Sequence, residues 1–323
     1  MIIVTGGAGF IGSAFIWKLN EEGIDDILVV DELGESAKWK NLVNRHYVEY
    51  IHKDVFLRMI RNDQMPFTPR AIIHMGACSS TTECDADYLM DNNYHYTCRL
   101  AEWALPKNIR FVYASSAATY GDGSRGFSDD SSVTPTLRPM NMYGYSKQIF
   151  DLWVLRQQVE NQVVGIKFFN VFGPNEYHKG DMRSVVHKAF EQISATGEVR
   201  LFKSHKPEYT DGGQMRDFVY VKDCVDVMWW LLEHPEVNGI FNLGTGKART
   251  WNDLAHALFS AMKMKPKIEY FDIPPEIGDQ YQYLTEAKMD KLRATGCKVA
   301  FRPLEEAVQD YVVNYLQKPD WHL

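Results

Sequence analysis

Apolar residues along this chain fall into two alternating kinds of segment. Ile2–Thr5, Ile27–Asp31, Ala71–Ala77 and Arg110–Ser115 are short runs rich in Val, Ile and Ala, which predict strands. Between them, Ser13–Glu22 and a stretch near Ala86–Leu105 carry apolar residues at helical spacing. Strands that are apolar almost throughout must be covered on both faces, so this βαβ series predicts a parallel sheet between two helical layers. Gly23 stops the first helix in the manner of a C-terminal cap. The alternation continues with a helix near Tyr143–Val159 and a strand over Val163–Asn170, after which Pro, Gly and polar residues become denser. The domain change is expected there. Asp217–Leu232, as strand then helix, and Gly239–Leu243 return to the sheet, whereas Lys267–Asp272 and a helix near Pro303–Leu316 suit a smaller covering domain.

Composition narrows the class of partner. The 323 residues are 45% apolar, enough for one large core with a smaller domain appended, and no internal repeat or low-complexity tract interrupts them. A net charge of -7, without a block of like charges, offers no footprint for nucleic acid or an anionic membrane. A small molecule is the expected partner. The five cysteines form no Cys-x-x-Cys pair, which argues against a disulfide framework or a metal site and fits a reducing cytoplasm. A strand beginning at Ile2 leaves no room for a signal peptide, and no apolar run approaches a bilayer-spanning length, so a cytoplasmic location is expected.

Val4-Thr5-Gly6-Gly7-Ala8-Gly9-Phe10-Ile11-Gly12 places glycines between the opening strand and a helix. Backbone amides can then approach a pyrophosphate at the helix N-terminus. A glycine triplet alone is a weak signal. Here strand, turn, helix and an acidic residue about twenty positions on, Asp31, occur in the order a dinucleotide site requires. The expected fold is therefore α/β: a doubly wound parallel Rossmann-type sheet from residues 1–169 plus 217–243, with a smaller C-terminal substrate-binding domain from 170–216 plus 244–323. Asp31 at the end of its strand suits a ribose diol and hence NAD, whereas Lys38 and Lys53 are candidates for a 2′-phosphate and hence NADP. The residues leave that choice open.

Ser115-Ser116 closes a sheet strand, and Tyr143 and Lys147, four apart in a helical segment, share one face. This order resembles the short-chain dehydrogenase/reductases. A tyrosine with an ordinary pKa of about 10 acts as a base near neutral pH only if positive charge stabilises its phenolate. A lysine on the same helix and an oxidised nicotinamide meet that need.

Several stretches resemble the ADP-L-glycero-D-manno-heptose 6-epimerases, an extended short-chain dehydrogenase/reductase family of bacterial lipopolysaccharide precursor synthesis. They are Gly76-Ala77-Cys78-Ser79-Ser80-Thr81-Thr82-Glu83, Ala114-Ser115-Ser116-Ala117-Ala118-Thr119-Tyr120-Gly121, Tyr143-Gly144-Tyr145-Ser146-Lys147, Phe169-Asn170-Val171-Phe172-Gly173-Pro174 with His178-Lys179-Gly180, and Arg216-Asp217-Phe218-Val219-Tyr220-Val221. The resemblance implies that hydride leaves C6 of an ADP-linked heptose, the 6-keto sugar reorients, and hydride returns to the other face. It implies Tyr143 and Lys179 as the two acid/base groups, Ser116 bonding the reacting oxygen, and Lys147 positioning the cofactor ribose. It carries Gly6, Gly9, Phe10, Ile11, Gly12, Asp31, Glu32, Lys38, Lys53, Met75, Gly76, Ala77, Cys78, Ser79, Asn92, Lys147, Val171 and Lys179 into cofactor contact. Ser116, Asn170, Asp181, Lys188, Phe202, Lys203, Ser204, His205, Arg216 and Tyr281 fall at substrate positions; an arginine suits a diphosphate because it can make two charge-assisted bonds. NADP is the cofactor implied, ADP-heptose the substrate, and a homo-oligomer, with a pentamer as one form, the assembly. Three positions depart from the family: Glu32 where Asn is frequent, Asp181 where Ser is common, and Lys188 where His is common.

A sugar-nucleotide 4,6-dehydratase shares this fold but needs an acid after the strand-end Ser/Thr, where this chain has Ala117 and Ala118. A UDP-hexose 4-epimerase is the nearer enzymatic alternative. From another class, a non-catalytic dinucleotide sensor is also compatible with the fold, although it has no use for Ser116, Tyr143, Lys147 and a second basic loop together.

Overall fold

Ile2, Ile3 and Val4 are buried on both sides of their strand, and their alternation divides the interior in two. Ile2 and Val4 pack into one apolar cluster and Ile3 into another, as side chains of a strand with two covered faces must. In this computed structural model, which describes residues 1–274 and 282–323, that strand is central.

In chain order the elements are β1 (Ile2–Thr5), α1 (Phe10–Glu21), β2 (Ile27–Asp31), β3 (Glu49–His52), α2 (Lys53–Arg61), β4 (Ala71–His74) and α3 (Ala86–Leu89), which passes through a π turn (Met90–His95) into α4 (Tyr96–Ala104). Then come β5 (Arg110–Ser116), α5 (Met142–Arg156), β6 (Val163–Phe168), β7 (Asn170–Phe172), α6 (Val185–Thr196), β8 (Val199–Phe202), β9 (Met215–Arg216) and β10 (Phe218–Tyr220). They are followed by α7 (Val221–Glu233), β11 (Gly239–Leu243), β12 (Arg249–Thr250), α8 (Trp251–Ala261), β13 (Ile268–Phe271) and helices Asp290–Ala294 and Leu304–Tyr311. The seven-stranded sheet has the order β11-β6-β5-β4-β1-β2-β3, and its strands run parallel. From β1 the chain winds outward to β3, then crosses back to β4 on the other side of β1. The carboxyl ends of β1 and β4 therefore diverge into a crevice, the place where ligands bind in open sheets of this kind. The doubly wound parallel sheet expected from the sequence is present.

Differences from the sequence reading are local. The β3–α2 unit carries no continuous apolar run because β3 is an edge strand with only partly buried or exposed residues. The strand expected over Val163–Asn170 breaks at Phe169: β6 stays in the main sheet, and β7 leaves it to pair with β10, Asn170 opposite Phe218. The other small ladders join β9 to β12 and β8 to β13. Gly23 follows α1 with φ +76°, and Ile24 N–H reaches back to Leu19 O at 2.8 Å, as the predicted cap requires. Among the described residues no helix is long and apolar enough to cross a membrane.

One buried ion pair joins three elements. Lys167 on β6 and Asp151 on α5 have no side-chain exposure, and Nζ lies 2.6 Å from Oδ2. Lys167 also donates to Thr119 Oγ1 at 2.8 Å, while Asp151 accepts from Tyr113 Oη at 2.9 Å and Ser115 Oγ at 2.8 Å on β5. Removing one partner strands a charge in a dry interior. We predict that Lys167→Met lowers unfolding free energy by about 3–5 kcal/mol, measured by urea denaturation. The double change Lys167→Met/Asp151→Asn should cost less than the two single changes added together; strict additivity would show that the charges are not coupled.

Candidate active site

The crevice begins at the glycine turn. Gly6 has φ +64°, and a Cβ there would lie 2.5 Å from Gly76 N; one on Gly12 would lie 2.1 Å from Gly6 O. These positions need glycine, and the close approach leaves the start of α1 open to a phosphate. Asp31 closes the turn: Oδ2 accepts from Ala8 N at 2.8 Å, and Oδ1 accepts from Glu32 N at 2.7 Å and Lys38 Nζ at 2.6 Å. Beside it, Lys53 Nζ pairs with Glu32 Oε2 at 2.6 Å and donates to Asn92 Oδ1 at 3.0 Å. The Lys53 hydrogen bond holds the Glu32 carboxyl below its ordinary range. Asp31, Glu32, Lys38, Lys53, Gly76, Ala77, Cys78 and Asn92 all line this end, a pocket of about 160 Å³.

Behind the turn runs a chain of buried hydrogen bonds with a fixed direction. Thr97 Oγ1 donates to Asn93 O at 2.5 Å, which leaves its oxygen to accept from His74 Nε2 at 2.8 Å. His74 Nδ1 then accepts from Thr5 Oγ1 at 2.5 Å, and Thr5 Oγ1 accepts from Gly76 N at 3.4 Å. The imidazole is thus neutral with its proton on Nε2; burial, aided by the nearby Lys147 charge, pushes its pKa down to about 3. Asn93, in the π turn, accepts from Cys78 N at 2.8 Å and donates to Cys78 O at 2.9 Å and Ser146 Oγ at 3.0 Å. Ser146 in turn donates to Tyr143 O at 2.7 Å. The Met75–Ser79 loop and α5 are therefore tied through one amide.

Tyr143, Lys147 and Asp151 recur every four residues along one face of α5, which starts at an Asn141 cap whose Oδ1 accepts from Gly144 N at 2.7 Å. The buried Tyr143 hydroxyl bonds the Ser116 side chain; burial raises its pKa and the Ser116 bond opposes the rise. Burial also pushes the Lys147 ammonium down to about 8, against the pull of Asp151. Lys179 arrives from another element, the 3₁₀ turn Tyr177–Met182, with Nζ 5.5 Å from the centre of the Phe10 ring. Burial lowers its pKa and Glu176 raises it.

Ser116, Tyr143, Lys147 and Lys179 line one cavity of about 870 Å³, together with Gly6, Gly9, Phe10, Ile11, Gly12, the Met75–Ser79 loop, Asn170 and Val171. Other expected substrate residues lie elsewhere. Asp181 and Lys188 are exposed and meet each other, Lys188 Nζ donating to Asp181 O at 3.2 Å, outside the cavity lining. Phe202, Lys203, Ser204 and His205 are at and beyond the end of β8, also outside the lining; His205 N donates to Tyr283 Oη at 2.9 Å. Arg216 is buried, donates to Met215 O at 2.8 Å and packs 5.7 Å from the Trp251 ring, which does line the cavity. Tyr281 lies outside the described residues. Arg183, His178 and Trp251 line the cavity although the sequence reading assigned them no role. Arg183 and His178 flank Lys179 in the chain, and that adjacency was the available signal. Asn93, Glu176 and Asp151 act from behind the lining and carried no local signal.

The chain matches the model of the NAD dependent epimerase/dehydratase family over residues 2–244. It is 60% identical over 323 residues to the ADP-L-glycero-D-manno-heptose-6-epimerase of Nitratidesulfovibrio vulgaris strain Hildenborough, covering 100% of both chains. It is 49% identical to the enzyme of that description from Fusobacterium nucleatum, again over 100% of both chains. Among solved structures, Helicobacter pylori ADP-L-glycero-D-manno-heptose-6-epimerase superposes with a TM-score of 0.81 at 28% identity, covering 97% of this chain and 95% of that one. Thermus thermophilus UDP-glucose 4-epimerase in complex with NAD gives 0.74 at 25%, covering 96% and 97%.

His74 supplies a prediction about acid stability. Its folded pKa, about 3, lies below the ordinary value of 6.5, so the unfolded chain binds the extra proton between those limits. Stability from this group is complete above about pH 6.5 and falls as pH drops, by about 1.4 kcal/mol per pH unit. Urea titrations from pH 7 to pH 5 should show at least that slope, to which the half-buried His178 and the buried His187 add in the same sense, and His74→Asn should reduce it by about that amount. An unchanged slope in the variant would mean that His74 is not the group being protonated.

Proposed function

The chain belongs to the NAD-dependent epimerase/dehydratase family and, within it, to the ADP-L-glycero-D-manno-heptose-6-epimerases, and we propose that it inverts C6 of its ADP-linked heptose through a 6-keto intermediate with a retained NADP. It is an isomerase; UDP-hexose 4-epimerases are more distant relatives. The observation that carries the mechanism is the convergence of Tyr143 on α5 and Lys179 on a separate turn upon one cavity.

A bound nicotinamide dinucleotide supplies an acceptor for hydride from the carbinol carbon and a donor for its return. The residues present fit such a group. Amides of the Gly6–Gly12 turn face a pyrophosphate, and a Cβ at Gly6 or Gly12 would close the cradle. At the ribose end, Asp31 already accepts from Ala8, Glu32 and Lys38, and Glu32 is neutralised by Lys53. Asp31 thus serves the turn more than a ribose diol, and a 2′-phosphate at this end would draw on Lys38 and Lys53 in competition with Asp31 and Glu32. The two lysines at this end are what supports NADP over NAD.

Tyr143, hydrogen-bonded to Ser116, takes the proton from the sugar hydroxyl on one side of the cavity. Lys147, on the same helix face, contributes positive charge that favours the phenolate. Because hydride must leave one face of C6 and return to the other, the keto sugar turns over and its oxygen meets a different wall. Lys179 is the proton carrier there, and the half-buried lysine's lowered pKa suits that exchange. A dinucleotide sensor would have no use for this pair of proton carriers.

Two experiments test the reading. Nucleotide released on denaturing the purified protein should be NADP or NADPH, because a hydride that returns each turnover gives no reason for exchange; recovery of NAD alone would overturn the assignment. Tyr143→Phe and Lys179→Met should each lower kcat for ADP-heptose epimerisation by about 10²-fold or more, with cofactor retained and the double variant little worse. Near-normal kcat with a raised KM in Lys179→Met would leave a one-base mechanism.

A further inference from the structure

Lys179 rides on a six-residue 3₁₀ turn interrupted at Gly180, where φ is 54° and ψ is -127°. Such a turn is a weak scaffold for a group that must meet a reacting oxygen. The stiffness comes from below. Glu176 is 1% exposed, and its Oε1 accepts from Ser184 Oγ at 2.7 Å, Tyr311 Oη at 3.1 Å and Gly173 N at 3.3 Å. Its Oε2 accepts from Ser184 N, and its own carbonyl accepts from Lys179 N at 3.0 Å. One carboxylate therefore closes the segment at Gly173 and at Ser184, the cap of α6, and fastens it to helix Leu304–Tyr311. Asn175 adds an outer fastening, donating to Ser13 Oγ at 3.0 Å while its carbonyl accepts from Asn41 Nδ2 at 3.0 Å.

We propose that Glu176 is a positioning residue for catalysis: its buried carboxylate holds the turn so that Lys179 stays in the cavity opposite Tyr143. The inference rests on the reading of Lys179 as the second proton carrier. The chemistry demands a carboxylate, because each oxygen faces a backbone N–H, Gly173 on one side and Ser184 on the other. A glutamine in either orientation would set its NH2 group against one of those donors. The charge matters too, since Glu176 is the group that opposes the effect of burial on Lys179. Among the described residues the other ionisable groups nearby are Tyr177 and Tyr311, both raised by burial; His178, held near pKa 4 chiefly by burial; the Asp31–Lys38 pair; and Arg183, turned to Gly180 O and Glu191.

The test uses the purified protein with its native cofactor and ADP-heptose. Glu176→Gln should lower kcat by about tenfold or more while KM and cofactor content change less than about twofold. The limb of the pH–rate profile that belongs to Lys179 should move to lower pH, because the ammonium loses its opposing charge. On a Lys179→Met background, Glu176→Gln should change kcat by less than about twofold, as expected for a residue acting through Lys179. Multiplicative losses would overturn the proposal, and so would near-normal kcat in Glu176→Gln when Lys179→Met alone is crippled. If Lys179→Met itself keeps its kcat, the two-carrier reading has failed, a result distinct from both. Should Glu176→Gln not fold, Tyr311→Phe, which removes one donor to the carboxylate, decides in its place. A kcat loss of about two- to fivefold at constant KM, absent on the Lys179→Met background, supports the proposal, and unchanged kcat overturns it.

Discussion

The ion pair between Lys167 and Asp151 is the constraint on which the reaction geometry rests. Two opposite charges without solvent exposure carry a desolvation cost that hydrophobic side chains of similar volume would not, so the pair is not explained by stability alone. What it contributes is register. Asp151 lies two helical turns beyond Tyr143, and its carboxylate takes bonds from Tyr113 and Ser115 on β5 and from Lys167 on β6. Ser115 is the neighbour of Ser116. Moving α5 along its axis by one residue would break all three bonds, so the face that presents Tyr143 to Ser116 is specified from below.

The same device recurs on the cofactor side. The chain Gly76–Thr5–His74–Thr97–Asn93 crosses from β1 through β4 to α4, and each polar atom in it has a partner. Asn93 then passes the alignment to α5 through Ser146. Asn93 sits in the π turn, buried between the Met75–Ser79 loop and α5. Fully satisfied buried networks of this kind are rigid, since any displacement leaves a dry donor or acceptor unpaired. Cofactor loop, catalytic helix and strand ends consequently behave as one frame around the crevice at the sheet's switch point.

Charge within the crevice is arranged in pairs. Asp31 with Lys38 and Glu32 with Lys53 cancel at the ribose end, so an anion bound there must compete with two carboxylates for the ammonium groups. Toward the reacting end, burial lowers the Lys147 and Lys179 pKa values toward neutrality, whereas it raises that of Tyr143 against the opposing Ser116 bond. Tyr143 and Lys147 share α5, and Lys179 comes from the separate Tyr177–Met182 turn.

Much of this was legible along the chain. Apolar runs marked six of the seven strands of the main sheet, because a strand covered on both faces has no polar alternation; β3 escaped because an edge strand is only half covered. Motif spacing located the glycine turn, Ser116, Tyr143 and Lys147, since a turn or a helix face is a property of residues close in sequence, whereas Lys179 came from the family resemblance alone. Asp181 and Lys188 fell outside the cavity because the turn after Gly180 directs them to solvent. Asp151, Asn93, Asn41 and Glu176 carried no local signal. Glu176 meets Tyr311 from 135 positions away, and Asn41 meets the Asn175 carbonyl from 134. The sequence by itself determined the elements, the glycine turn and the shared helix face of Tyr143 and Lys147, all of which depend on short-range periodicity. Only the tertiary structure decided which buried polar groups hold α5 and the Lys179 turn in place, because their partners are chosen by strand order and packing, across distances that no local pattern records.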